Sequence, residues 1–397
     1  MKSKHQLFIF SLVTTFLLSA CKSETLQKLN DLNREVVVAA NGNSTPTNNP
    51  TIQGSLSGGQ TIAILPEAWM NYCNDLSDSQ NVSKYYEVGV ENTKPVSTTL
   101  SWSVVEEATY YLTYLSRDVG MSNPIITFST EKSVLLSDLY AGTHYYYQIH
   151  AHYEDKTIIS RRFDFNTVDF FRTLDIDGVQ NARDLGNKIT VDGSKKVKQG
   201  LVYRSANLDS VTEKGKIQAT LQYGIKTDLD LRAQGPSGSP LGSSVNYVNN
   251  GYGTYGSPFY VSGNGIDNED FKPVMKENLK TFTNTNNLPL VFHCAVGRDR
   301  TGTLAVLLYL LLGVELEQIK QDYYVYVFTS ICNAEPITTM APSFNNLLNY
   351  LTAYVGNDGV GSGTIYERAE EYCLDIGLTS SEISAIRENL LEETNNE

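Results

Sequence analysis

Pro289-Leu290-Val291-Phe292-His293-Cys294-Ala295-Val296-Gly297-Arg298-Asp299-Arg300-Thr301-Gly302 is the stretch whose reading decides the fold. A short apolar run ends in His293-Cys294. Five residues separate Cys294 from Arg300, and Thr301-Gly302 opens a longer apolar run over residues 303–312. That pattern is strand, tight loop, helix. A loop at a helix N-terminus aims unpaired backbone N–H groups at one point, and the helix dipole there favours an anion. A phosphate fits such a cup, lined by Ala295, Val296, Gly297, Arg298 and Thr301. The planar fork of Arg300 can clamp two of its oxygens. Cys294 would lie beneath, and the same positive field would favour its thiolate, the nucleophilic form.

The Cys294-x5-Arg300 spacing resembles the signature of the protein tyrosine phosphatase superfamily. The fuller pattern of His293, Cys294, Gly297, Asp299, Arg300, Thr301 and Gly302 is similar to the loop of a bacterial branch of tyrosine/serine phosphatases with some lipid-phosphatase character. Arg298 stands where that branch has lysine. Asn181-Ala182-Arg183-Asp184-Leu185-Gly186 and Tyr203-Arg204-Ser205 resemble earlier motifs of the same branch. The resemblance implies an α/β domain over residues 169–397, with a central, mostly parallel sheet and flanking helices. It implies a cysteine-dependent tyrosine or dual-specificity phosphatase working through a cysteinyl-phosphate, with no metal or cofactor. Its substrates would be phosphotyrosine or phosphoserine proteins, or phosphoinositides.

Two aspartates compete as the acid that protonates the leaving oxygen. Asp299 lies in the loop, where myotubularin-like lipid phosphatases also carry an aspartate. Asp230 belongs to Asp230-Leu231-Arg232, similar to the branch's Asp-Leu-Arg motif. The glutamate that usually follows is missing, since Ala233-Gln234-Gly235-Pro236 comes next. His293 is expected to orient the loop. Arg183, Asp184 and Arg204 are expected to form a buried ionic scaffold, with direct phosphate contact by Arg204 as the alternative. Ser210-Val211-Thr212-Glu213 reads as a capping box and Thr379 with Glu382 as another. Residues 233–268, rich in Gly, Ser, Asn and Tyr, suggest a lid-like segment.

Upstream, Lys2 and Lys4 precede a short apolar run, and Leu18-Ser19-Ala20-Cys21 follows it. Residues 1–20 read as an export signal. The tetrapeptide resembles a bacterial lipobox, which implies lipidation at Cys21 and a membrane-anchored lipoprotein facing the periplasm or cell surface. Residues 21–60 have a linker composition. Over residues 61–168 short β-rich runs without helices indicate a β-sandwich. Leu100-Ser101-Trp102 and the Leu136 to Tyr145 corner resemble a fibronectin type III domain, which could bind a protein or glycan. His144, His150 and His152 read as exposed sheet histidines rather than a metal set.

The formal charge of −13 and the absence of a basic run argue against nucleic acid as a partner. The five cysteines include no CxxC pair and none with zinc spacing, so no metal is expected. Two other classes remain to be weighed. A catalytically silent surface protein could sense a phosphorylated ligand with the same loop. A rhodanese-type sulfurtransferase also uses a cysteine in an anion cup, but leaves Asp299-Arg300-Thr301-Gly302 without a purpose.

Overall fold

The computed structural model describes residues 52–75, 79–104, 106–332, 337–356, 359 and 363–394, and it divides into two compact units. The expected signal at 1–20, the lipidation residue Cys21 and the linker as far as residue 51 lie outside the described residues.

The first unit takes the described residues up to Ala63 together with Ser97–Val168. Its strands are β1 (Gln53–Gly54), β2 (Gln60–Ile62), β3 (Thr98–Ser103), β4 (Tyr110–Ser116) and β5 (Ile125–Ser129). They continue with β6 (Ser133–Leu136), β7 (His144–His152), β8 (Thr157–Ile159) and β9 (Phe163–Thr167). One sheet has the order β1-β3-β6 and the other β2-β9-β7-β4-β5, with β8 beside β7. β7 alternates strictly: Tyr145, Tyr147, Ile149 and Ala151 are buried while the residues between them are half-exposed, the period-two signature of a one-sided strand. Trp102 of β3 meets Tyr111 of β4 edge-on at 5.2 Å, joining the two sheets. The Tyr140 amide donates to the Tyr145 hydroxyl at 2.8 Å and fixes the corner between β6 and β7.

The three histidines differ from expectation. They are half-buried, because neighbouring rings cover them. His150 stacks on Tyr114 at 4.1 Å, His152 on Tyr110 at 4.5 Å and His144 on Tyr146 at 4.5 Å. Burial, with the nearby His152, pushes His150 down to about 4.

The expected boundaries also shift. The end of the linker already forms β1, where a side chain on Gly54 would strike the Tyr147 hydroxyl at 2.0 Å. Residues 64–96, expected in the sandwich, pack instead with the second unit. The reason is aromatic. α1 (Glu67–Asn74) buries Trp69 and Tyr72, and the Trp69 ring lies 5.5 Å from Phe171 and 5.2 Å from Phe328.

The second unit, residues 64–96 and 169 onward, is built on a sheet of β10 (Arg183–Asp184), β12 (Val202–Ser205), β15 (Leu290–His293), β13 (Thr227–Asp230) and β14 (Asn246–Val248), in that order. β11 (Lys195–Val197) pairs separately with β16 (Leu391–Glu393). β10 runs antiparallel at one edge and the other neighbours are parallel. The α/β expectation of a mostly parallel sheet therefore holds. Helices α2 (Glu213–Ile217), α3 (Lys272–Lys280), α4 (Asp299–Leu311), α5 (Leu316–Tyr324), α6 (Ile337–Thr352), α7 (Ile365–Asp375) and α8 (Ser380–Leu390) complete it. α4 is buried from Thr301 to Leu311 on every face, as its unbroken apolar run requires. Thr379 and Glu382 form the expected capping box of α8. The other expected box is absent. Thr212, not Ser210, caps α2 by accepting from the Gly215 amide. Gly215 lies so close to the Asp177 carbonyl that a Cβ would sit 2.1 Å from it, and this contact sets where the helix can start.

Candidate active site

In the central sheet Ser205, His293 and Asp230 lie at one level, at the carboxyl ends of β12, β15 and β13. Open α/β sheets bind ligands outside those ends. Cys294 follows β15 there, and the chain turns through residues 295–298 into α4.

Three outer groups hold the carbonyls of this turn. The Asn207 amide and Nδ2 donate to the Ala295 carbonyl at 3.1 and 2.8 Å. Asn181 Nδ2 donates to the carbonyls of Val296 and Gly297 at 3.1 and 3.2 Å. Arg204 Nη2 donates to the Gly297 carbonyl at 2.9 Å. A planar trans peptide puts its N–H opposite its C=O. The N–H groups of Val296, Gly297 and Arg298 are therefore turned to the inner side, toward the start of α4. Gly297 has φ 72°, and a Cβ there would come within 2.4 Å of the Ser205 carbonyl. Only glycine fits that close approach.

Cys294 is buried. Burial alone would raise its thiol pKa. Hydrogen bonds from the Thr301 hydroxyl and amide, with the charge of Arg300, outweigh burial and hold it below the ordinary range. The buried Thr301 hydroxyl makes no other hydrogen bond among the described residues, which leaves its proton to the sulfur. Arg300 is half-buried and pairs with no carboxylate among the described residues. Its fork is open to an incoming dianion.

His293 supports the loop from below. Its Nε2 lies 2.9 Å from the Asp228 carboxylate and its Nδ1 lies 3.2 Å from the Cys294 carbonyl. Both neighbours are acceptors, so both ring nitrogens carry protons. Burial opposes the charged imidazolium, but Asp228 and then Asp230 prevail and raise its pKa.

The two candidate acids differ sharply. Asp230 is fully buried and gripped by Arg232, with Nε at 2.9 Å and Nη2 at 2.8 Å, while the Tyr247 hydroxyl donates at 3.0 Å. Against burial, those bonds and the His293 charge hold it below the usual carboxylate range. Asp299 is partly exposed beside the loop. It accepts from the Tyr260 hydroxyl at 2.8 Å and from Arg298 Nε at 2.8 Å. The side chain of Arg298, which stands where the similar branch has lysine, is thus paired with Asp299, and its guanidinium also lies 5.3 Å over the Tyr326 ring.

The expected scaffold is present, but its hub is another residue. Arg183 and Arg204 converge on Asp322 at 2.9 and 2.5 Å. Asp184 instead binds Arg172 at 3.0 Å. Arg204 supports the loop through the Gly297 carbonyl, so its contact is structural.

Residues 174–392 match the model of the tyrosine phosphatase family. The chain belongs to that family. A Cupriavidus necator protein bearing the name of a tyrosine-protein phosphatase is 28% identical over 178 residues, 38% of this chain. The chain spans 61% of the length of that relative. A solved structure of the core catalytic domain of the PP-IP phosphatase SIW14 from S. cerevisiae with citrate, and another of the Siw14 catalytic core, are each similar at a TM-score of 0.25 and 18% identity. Each match covers 37% of this chain, and 89% and 88% of those chains.

Within the tyrosine phosphatase segment, sequence reasoning gave no role to Asn207, Asp228 or Asp322, named Asn181 only within its motif, and took Tyr260 only as part of the lid-like segment. A signal existed for Asp322. It sits between Ile319 and Tyr323 on the buried face of α5, and an acid on an apolar stripe needs a cation. Tyr260 offered none, since it lies in irregular chain.

Proposed function

We propose that the chain hydrolyses phosphomonoesters through a cysteinyl-phosphate at Cys294. The observation that carries this reading is Cys294, its thiol held below the ordinary range, in a loop whose amides turn inward and whose Arg300 pairs with no carboxylate among the described residues. The sulfur attacks phosphorus in line as the bond to the leaving oxygen breaks. Arg300 and the loop amides bind the equatorial oxygens, where charge collects in the transition state. Asp299 gives a proton to the leaving oxygen. A water then attacks the phosphocysteine, Asp299 takes back its proton, and phosphate and the thiolate are released. Asp230, ionised and enclosed by Arg232, is left with a structural role beneath His293.

The substrate class is a phosphorylated protein or a phosphoinositide. A panel of aryl phosphate, phosphopeptides, phosphoinositides and thiosulfate on the reduced full chain tests the reading. Thiosulfate turnover without phosphate release would assign the loop to sulfur transfer instead.

Asp299→Asn should slow hydrolysis of alkyl phosphates by about 10²–10⁴-fold, and of activated aryl phosphates far less. Tyr260→Phe should steepen the leaving-group dependence in the same direction, since its hydroxyl positions the Asp299 carboxylate. Equal losses on both substrate types would remove Asp299 as the acid.

Export and anchoring remain part of the reading. Labelled palmitate should enter the wild-type chain in a bacterial host and not Cys21→Ala; labelling of both would refute lipidation at Cys21.

A further inference from the structure

A cleft of about 520 Å³ adjoins the outer arc of the phosphate loop, at Ala295 and Val296. That size suits a side chain with part of its backbone. One wall comes from residues 177–180 and another from 206–210. The third is formed by Glu91 and Lys94, outside the 174–392 family match, together with Ser330 and Ile331.

The walls are braced. Glu91 accepts from the Ser330 amide at 3.0 Å, its hydroxyl at 2.9 Å and Gln180 Nε2 at 3.3 Å. The Asn92 amide donates to the Phe328 carbonyl at 2.8 Å. Lys94 is paired with Asp175 at 2.8 Å and also reaches the Ile176 carbonyl. The one cation among the described lining residues is thus already paired. Asp177 accepts the Thr212 hydroxyl on Oδ2 at 2.5 Å, and its Oδ1 has no partner among the described residues. Val179, Val296 and Ile331 add apolar surface.

Carboxylates without a free counter-charge, set beside apolar walls, disfavour a second phosphate and suit an aliphatic stem ending in a cation. We infer that this cleft is a peptide subsite taking a basic side chain close to the phosphorylated residue of a protein substrate, with Asp177 as its anchor and Glu91 holding its wall. The inference rests on the reading that residues 294–301 bind the phosphate.

The test uses the reduced full chain and pairs of phosphopeptides that differ only in Lys or Glu beside the phosphoresidue, with an inositol polyphosphate as a third arm. kcat/KM should favour the Lys peptide by roughly fivefold or more. Asp177→Asn, which keeps an acceptor for Thr212, should bring the two peptides within about twofold of each other. Glu91→Gln should narrow the gap in the same direction. Equal turnover of the pair, a preference that survives Asp177→Asn, or faster turnover of the inositol polyphosphate would overturn the subsite. Binding of the same pair to Cys294→Ser, read by fluorescence anisotropy, keeps the question decidable without turnover. A Lys preference there, with an inactive wild type, would reject the hydrolase reading and retain the subsite. Equal binding would reject the subsite.

Discussion

Cys294→Ser should abolish turnover of an aryl phosphate, by at least about 10⁴-fold, while phosphate or vanadate still binds. The amides, Arg300 and Thr301 that form the cup are untouched by the change, but serine's hydroxyl stays protonated where the thiol does not. The folded-state thiol is held below its ordinary value. The stability this supplies is therefore present above the unfolded thiol pKa and is lost as pH falls through the folded one. Alkylation by iodoacetate should accordingly continue into more acid solution for Cys294 than for an unfolded-chain thiol. Arg300→Ala should move alkylation back toward the ordinary thiol range, because it removes a charge that favours the thiolate. A Cys294→Ser protein keeping more than a few per cent of its activity would exclude this cysteine as nucleophile.

Asp322→Ala should destabilise the second unit by about 3–5 kcal/mol. Two guanidiniums, Arg183 and Arg204, end on this carboxylate, and all three side chains are about 1% exposed. Removing it leaves two buried cations facing each other, a larger penalty than the loss of the contacts themselves. Burial disfavours the charged carboxylate, yet Arg183 and Arg204 hold it down to about 2. Its contribution is thus present above the unfolded carboxylate pKa and disappears only as pH falls through about 2. Urea unfolding at neutral pH measures the loss. The midpoint should fall with little change in slope. Activity should fall as well, since Arg204 also holds the Gly297 carbonyl. A stability loss below about 1 kcal/mol would show that the pair of arginines finds other partners.

Much of the proposed catalytic loop was legible because it is local. Cys294, Arg300 and Thr301 lie within one turn and the first residues of one helix, so their spacing nearly dictates their geometry. The cup consists of backbone amides of consecutive residues, which need no distant partner to exist. Thr379 and Glu382 were legible for the same reason, as a cap closes over four residues. Where the local signal stood in competition it misled: Ser210 and Glu213 have the spacing of a box, but the approach of Gly215 to the Asp177 carbonyl starts α2 later.

The sequence by itself determined the proposed nucleophile, the loop that would hold the anion and the α/β order, because each follows from contiguous residues and from the period of apolar side chains. Tertiary structure alone decided which charges meet. It set Asp322 against arginines more than a hundred residues away, brought Asp228 to His293, and gave Asp299 its tyrosine. It also drew residues 64–96 out of the expected sandwich to wall a cleft beside the loop. The physical reason is that a buried charge or ring takes whatever partner packing brings to it, and one-dimensional spacing carries no record of that choice.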